Sequence, residues 1–288
     1  MLLANAWKDY ELIDAANGEK LERWGDKLLI RPDPQVIWTQ KSDPAAWERA
    51  CAHYHRSRAG GGGWSFARPL PDVWRIGYPP LTFLVRPTGF KHTGLFPEQA
   101  VNWEFIMDAI GRANREISVL NLFAYTGGAT MAAAKAGARV VHVDAAKGMV
   151  LWAKENAGAC GLKDAPIRYI VDDAIKFAQR EIRRGHTYDC IIMDPPSYGR
   201  GPNGEVWKFE DALYDLVTLC AKLLSPKPLC LIVNSYTSSV SPTIVANVLF
   251  MTLVRQFGGR VENGELCLPI TASGLQLPCG ATTRWICE

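Results

Sequence analysis

The chain has 288 residues, 48% of them hydrophobic, and a formal net charge of +3. That length allows one large domain or two smaller ones around an ordinary buried core. No apolar run reaches the roughly 18 residues that span a bilayer, and so small a charge excess does not by itself specify nucleic acid as a partner. The opening residues Met1 to Asp9 lack the basic and apolar stretches of a secretory signal, which gives the expectation of a cytoplasmic protein with no membrane contact. The composition leaves oligomeric state open.

Residues 1–90 carry short apolar stretches broken by Pro and Gly, such as Lys27–Pro32 and Leu81–Pro87, which read as short strands. Six of the ten tryptophans (Trp7, Trp24, Trp38, Trp47, Trp64 and Trp74) fall here. They are read as fillers of a small β core. The run Gly60-Gly61-Gly62-Gly63 is read as a mobile loop. Between residues 41 and 91, eight Lys/Arg stand against three acids, a local excess that permits phosphate contacts.

From residue 118 the pattern becomes strand–helix alternation. Strands are expected at Val119–Phe123, Arg139–Val143, Ile167–Val171, Cys190–Asp194 and Leu229–Val233. Helices are expected at Ala129–Ala136, Lys147–Ala159, Ala174–Arg184 and Glu210–Leu224. Strands that are apolar at most positions have both faces covered, so the alternation predicts an α/β fold with a parallel sheet. Two further strands, Arg260–Leu268 and Thr282–Cys287, suit an antiparallel pair at the sheet's end.

Four strand ends carry the polar residues. After the first come Ala124-Tyr125-Thr126-Gly127-Gly128 and an Ala-rich helix: a strand, a tight loop and a helix start, where doubly wound sheets bind ligands. The spacing is not G-x-G-x-x-G, so the pyrophosphate fingerprint of a nicotinamide cofactor is absent. The second strand ends at Asp144, about 20 residues on, where an acid accepts from both hydroxyls of a ribose. The third ends in Asp172-Asp173-Ala174, where one carboxylate can face an adenine amino group and the other cap the next helix. The fourth ends in Asp194-Pro195-Pro196-Ser197-Tyr198. Two prolines stop the strand and leave a ledge of backbone carbonyls, and Tyr198 can stack on a planar substrate.

Together these residues resemble a class I S-adenosylmethionine-dependent methyltransferase. Residues 85–240 are similar to the bacterial large-subunit ribosomal RNA methyltransferases with cytosine-5 and guanine-N7 members. The resemblance implies a Rossmann-like sheet over residues 91–288, preceded by a small β-rich substrate-recognition region over residues 1–90. It implies S-adenosylmethionine as cofactor and RNA, ribosomal RNA in particular, as partner. Phe123, Tyr125, Thr126 and Gly127 would line the methionine and ribose parts. Asp144 with Ala145 would hold the ribose, and Asp173 with Ala174 the adenine. Asp194 would lie near the methionine amine or the transferring methyl. Thr93, Phe96 and Gln99, in a His92–Gln99 segment similar to one that closes over the cofactor, would add to the site. Asn156 would support it from a helix. By this resemblance Asp194, Pro195, Pro196 and Tyr198 would form the catalytic set, and Asn234 would add a polar contact to the base.

One departure from that family bears on the reaction. Its cytosine-5 members attack the base with a cysteine, whereas the stretch Val233–Ser239 here has none. Methylation of a base nitrogen, which needs positioning and no covalent adduct, is therefore expected. The alternatives are a small-molecule or protein acceptor, or an RNA-binding module without turnover. The segment Gly199–Lys208 is read as a mobile substrate loop, with Arg200 and Lys208 available for phosphates. The eight cysteines, Cys51, Cys160, Cys190, Cys220, Cys230, Cys267, Cys279 and Cys287, show no C-x-x-C spacing. They are read as small buried hydrophobes, and no metal site is expected.

Overall fold

The computed structural model describes residues 1–57, 61–200, 206–237 and 239–287, with Arg200 described by its backbone alone. The chain forms two units. One comprises Leu2–Val101 with Leu266–Cys279, and the other comprises Asn102–Glu265 with the chain from Gly280 onward. The first unit thus runs past residue 90 and takes in a piece of the tail. Among the described residues no helix is long and apolar enough to cross a membrane.

In the N-terminal unit, β1 (Leu2–Leu3), β2 (Tyr10–Ala16), β3 (Glu19–Trp24), β4 (Lys27–Pro32), α1 (Pro44–Glu48), β5 (Ala52–Arg56), β6 (Gly62–Phe66), β7 (Trp74–Tyr78) and β8 (Leu81–Val85) follow in order. Strands β2 to β6 make one sheet in sequence order, and β7 pairs with β8. All these neighbours are antiparallel except β4 and β5, which α1 joins in parallel. Trp24 and Trp47 are buried in this unit, and the other four tryptophans are partly covered, as expected of core fillers. Their indoles are tied down: Trp7 donates to the Pro97 carbonyl, Trp38 to Ala15, Trp64 to Thr88 and Trp74 to Trp24. Gly62 and Gly63, read as part of a mobile loop, open β6 instead. A Cβ on Gly62 would lie 2.2 Å from the His55 carbonyl oxygen, so the bare backbone is what lets β6 pack so closely here. Gly60 and Arg58 lie outside the described residues.

The stretch from residue 100 onward, which holds the other unit together with Leu266–Cys279 of the first, runs through α2 (Ala100–Arg112), β9 (Ser118–Leu122), α3 (Gly128–Lys135), β10 (Arg139–Asp144), α4 (Lys147–Ala159), β11 (Ile167–Val171), α5 (Ala174–Arg184), β12 (Cys190–Met193), β13 (Tyr198–Arg200), β14 (Val206–Lys208), α6 (Phe209–Ala221), β15 (Cys230–Ser235), α7 (Pro242–Leu249), β16 (Arg260–Pro269) and β17 (Gln276–Ile286). Seven of its strands pair in the order β16-β17-β15-β12-β9-β10-β11. Strands β15, β12, β9, β10 and β11 are parallel, and β17 runs against β15. This is the expected α/β fold with a parallel centre. Leu120, Leu122, Ile191, Met193, Leu231 and Val233 are buried on one face with Phe177, Leu216 and Val217 of α5 and α6. Val119, Val140, Ile192 and Ile232 pack on the other with Ile106 of α2 and Ala133 of α3.

Chain direction reverses its lateral progress at β9. Strands β10 and β11 lie to one side of it, and β12 and β15 to the other. The carboxyl ends of β9 and β12 therefore flank a crevice at the topological switch point.

Candidate active site

The loop after β9 is conformationally unusual. Phe123 (φ 54°), Tyr125 (φ 49°) and Gly127 (φ 87°) all adopt left-handed backbone. For the two aromatic residues this costs about 1–3 kcal/mol each and persists only where surroundings over-determine it. Those surroundings are visible. The Tyr125 amide donates to Asp144 Oδ2 (2.8 Å), and the Ala124 amide to the Val143 carbonyl (3.0 Å). The side chain of Asn156, fully buried on α4, donates to the Thr126 carbonyl (2.8 Å). Gly127 sits where a Cβ would be 3.2 Å from Ala153 and 3.3 Å from Met131, and a Cβ on Gly128 would lie 2.9 Å from the buried Trp103 ring.

Behind the loop runs a buried polar relay. Asn121 Nδ2 donates to Thr130 Oγ1 (2.9 Å), whose hydroxyl also shares a hydrogen bond with His142 Nδ1 (2.9 Å). The other ring nitrogen, Nε2, is buried with no hydrogen-bond partner among the described residues. Burial pushes His142 down to about 4, so the ring is neutral at ordinary pH.

Asp144 closes β10 beside this loop. Its other oxygen, Oδ1, accepts from the Ala146 amide (2.8 Å). Burial raises the carboxyl above its ordinary value, while the Ala146 and Tyr125 amides pull it back. Each oxygen retains lone-pair capacity for one more donor. Ala145 is exposed next to it. At the end of β11 the two neighbouring acids divide their roles. Asp173 caps α5, accepting from the Lys176 amide (2.8 Å), and remains exposed; Asp172 pairs with Arg180. Ala174 is buried.

Across the crevice, Asp194 follows β12, and its amide points to the Leu122 carbonyl (3.4 Å). Pro195 is buried and Pro196 exposed. The Pro196 carbonyl accepts from the Trp207 indole (2.6 Å), and the Trp207 ring centroid lies 5.7 Å from that of Phe123. Tyr198 is exposed at the start of β13. The Pro196 carbonyl, part of the expected ledge, accepts from Trp207 with one of its two lone pairs. One expectation is corrected here. The segment Gly199–Lys208, read as a mobile loop, has paired strands as its arms: Tyr198–Arg200 aligns antiparallel with Val206–Lys208. Residues 201–205 and the Arg200 side chain lie outside the described residues. No local sequence signal marks Trp207 as the bracket of the ledge, because the hairpin that carries it there shows only in the fold.

Asn234 is also corrected. It is buried, and its amide oxygen accepts from Asn102 Nδ2 (3.0 Å), which also donates to Thr282 Oγ1 (3.2 Å). Asn102 Oδ1 accepts from Arg284 Nε (2.9 Å) and Nη2 (2.7 Å). This network satisfies polar groups between α2 and the sheet, so Asn234 serves the scaffold. Thr93, Phe96 and Gln99 belong to the N-terminal unit; Thr93 and Gln99 are buried there, and Thr93 Oγ1 has no hydrogen-bond partner among the described residues.

All eight cysteines are free thiols, and six are buried. Cys190 and Cys230 oppose each other at the first positions of β12 and β15, Sγ to Sγ 3.1 Å, at the end of the sheet away from the crevice. Cys287 lies at that same far end, its amide bonded to the Leu229 carbonyl.

The crevice can thus present a carboxylate to a diol, a fixed loop to a ligand and a stiff ledge to a planar acceptor. The fixed loop and the spare lone pairs of Asp144 fit an adenosyl group. Comparison with known proteins agrees. The sequence model of the S-adenosylmethionine-dependent methyltransferase family matches residues 31–237. A SAM-dependent methyltransferase structure from Agrobacterium tumefaciens is 41% identical, with TM-score 0.94 over 100% of this chain and 93% of that one. SMU.776, seen in a crystal structure complexed with SAH, is 20% identical with TM-score 0.72 over 98% of this chain and 76% of that one, which shows the shared fold. The ribosomal RNA large subunit methyltransferase K/L of Syntrophotalea carbinolica is 33% identical over 156 residues, 54% of this chain and 21% of its own length. That of Shewanella frigidimarina is 33% identical over 146 residues, 50% of this chain and 20% of its own. The chain spans about a fifth of the length of these curated relatives.

Proposed function

The chain belongs to the S-adenosylmethionine-dependent methyltransferase family, and we propose that it methylates a base nitrogen in ribosomal RNA, acting in the cytoplasm. The similarity to ribosomal RNA methyltransferases supports the acceptor class. The observation that carries the choice of nitrogen is the placement of the thiols. Cys230 is buried at the far end of β15, and Asn234 and Ser235 occupy the strand's carboxyl end, past the Met193–Val233 pairing with β12. Attack on C5 of a pyrimidine needs a nucleophile there. A nitrogen lone pair needs only to be aligned and shielded from water.

When bound, S-adenosylmethionine supplies an electrophilic methyl group. In this reading Phe123, Tyr125, Thr126 and Gly127 line its methionine and ribose parts. Asp144, with Ala145, accepts from the ribose hydroxyls, and the burial that raises its carboxyl strengthens that bond. Asp173, with Ala174, borders the adenine. Asp194 holds the methionine amine or the acceptor's amino group. Pro195 and the Trp207-braced Pro196 fix the plane in which the base lies, and Tyr198 covers its face.

The test is to incubate the purified protein with S-adenosylmethionine carrying a heavy-isotope methyl and undermethylated ribosomal RNA, then digest and analyse nucleosides by mass spectrometry. The expected product is an N-methylated nucleoside. A 5-methylpyrimidine, or no labelled nucleoside at all, would reject the proposal.

A further inference from the structure

The N-terminal unit holds a group of cations that the methyl-transfer site does not use. Register places Lys20, Glu22, Arg31, Tyr54, Arg56 and Trp64 on one face of its five-stranded sheet. The segment after β8 is tied to strands of this sheet at two points. Arg31 Nη1 donates to the Lys91 carbonyl (3.0 Å), and the Trp64 indole donates to the Thr88 carbonyl (2.8 Å). The segment is closed on itself by Thr88 Oγ1 donating to the His92 carbonyl (2.8 Å).

The carboxylates nearby are already committed. Glu22 is gripped by Arg31 through Nε (2.6 Å) and Nη2 (2.7 Å), and it accepts from Tyr10 (2.8 Å). Asp33 pairs with Lys20 (3.3 Å) and accepts from the Gln35 amide (3.1 Å). Among the described residues neither Lys91 nor Arg56 has a carboxylate partner. The half-buried Lys91 ammonium is pushed below the ordinary lysine range by burial and then by Lys20, with Arg56 and Arg31 adding to it and Asp33 alone opposing. His92 is pushed down to about 3 by burial and then by Arg31, Lys91 and Lys20. Like charges held together with their acids spent elsewhere are stabilised by an incoming anion. Phe90, next in the chain to Lys91, exposes 67% of its surface.

We propose that Lys91 and Arg56 grip a backbone phosphate of the RNA substrate, with Phe90 as the stacking platform for an adjacent base. The inference rests on the RNA reading of the function. Phosphate on cations with a base on an aromatic ring is how unpaired strands are held. Glu22 and Arg31 hold the segment in place, and their mutual bond leaves Lys91 and Arg56 as the cations without acid partners.

The test is fluorescence anisotropy with a labelled single-stranded RNA oligonucleotide of mixed sequence across a KCl series. For Lys91→Gln/Arg56→Gln, the slope of log K against log salt should become shallower by ~0.7 for each phosphate no longer neutralised. Phe90→Ala should weaken binding about tenfold with the slope unchanged. Lys91→Arg should restore the Lys91 share. The charge-matched control Lys163→Gln/Arg183→Gln, on exposed positions of the other unit, should keep the wild-type slope. Calorimetric binding of S-adenosylhomocysteine by every variant checks that the fold is intact. Wild-type affinity and slope in Lys91→Gln/Arg56→Gln would overturn the grip while leaving the RNA reading in place. A wild-type protein that neither binds nor methylates RNA would overturn both.

Discussion

Asp144→Asn isolates the residue on which the loop and the proposed ribose contact both depend. The carboxylate offers two equivalent oxygens, one to the Tyr125 amide and one to the Ala146 amide, each at 2.8 Å. Asparagine keeps the shape but supplies one oxygen and one NH2 group. Whichever way the amide turns, one backbone N–H faces another donor. A hydrogen bond to a charged group is worth about 1.5–3 kcal/mol, and the Tyr125 bond helps hold a left-handed aromatic residue. Calorimetry with S-adenosylhomocysteine should therefore show a ten- to hundredfold weaker Kd, equivalent to about 1.4–2.8 kcal/mol. The pH profile supplies a second readout. Burial raises the Asp144 carboxyl, so wild-type affinity should fall as pH drops through that raised value, while the asparagine variant should titrate flat there. Wild-type affinity in the variant, or an unchanged pH profile, would refute the assignment of Asp144 to the cofactor.

Three other outcomes follow from the same structure. Gly128→Ala drives a methyl to 2.9 Å from the buried Trp103 ring and should lower stability by about 1–3 kcal/mol in urea unfolding. Glu22→Gln leaves Arg31 buried without its counter-charge and should cost about 3–5 kcal/mol. Burial alone would raise the Glu22 carboxyl, but Arg31 and Lys20 hold it at about 2, so the wild-type contribution is present above the ordinary carboxylate value of 4.5 and lost as pH falls towards 2. His142, held at about 4 against 6.5 in the unfolded chain, binds fewer protons when folded. It should subtract about 1.4 kcal/mol of stability for each pH unit between 6.5 and 4, and His142→Asn should flatten that part of the Tm-versus-pH curve.

Where periodicity and breakers agree, the sequence reads cleanly: Lys147–Ala159, Ala174–Arg184 and Ile167–Val171 are read to the residue. Helix α7 is rich in β-branched residues (Thr243, Ile244, Val245, Val248), and their weak helical preference hides it. Strand β17 is legible only from Thr282, because Pro278 and Gly280 look like breakers. Gly280 is instead a packing position, where a Cβ would come 2.8 Å from the Tyr236 ring. Helix α2 escapes the sequence reading too, and with it Asn102, whose partners Asn234 and Arg284 lie 132 and 182 residues away. No local pattern reports a bond of that span. The strand-end acids are legible because chain order fixes them at the sheet's carboxyl edge. The left-handed backbone at Phe123 and Tyr125 is not, since bulky residues ordinarily avoid it.

That backbone links the fold to the chemistry. A loop of glycines could adopt these angles without strain, but it would also sample many others. Phe123 and Tyr125 adopt them only because Asp144 and Asn156 hold the neighbouring backbone from two different elements. The conformation is therefore fixed before any ligand arrives. The ledge across the crevice is built the same way, with ring-locked Pro195 and Pro196 and an indole on the Pro196 carbonyl. Phe123 and Trp207 bring the loop and the ledge's brace within ring contact. Transfer to a nitrogen requires no covalent help from the protein, so its rate depends on how little the two sides move relative to each other. Trp207→Phe tests this, since it keeps an aromatic ring and deletes the indole bond to Pro196. It should lower kcat for methyl transfer while leaving S-adenosylhomocysteine affinity at the wild-type value, and an unchanged kcat would show that the ledge needs no brace.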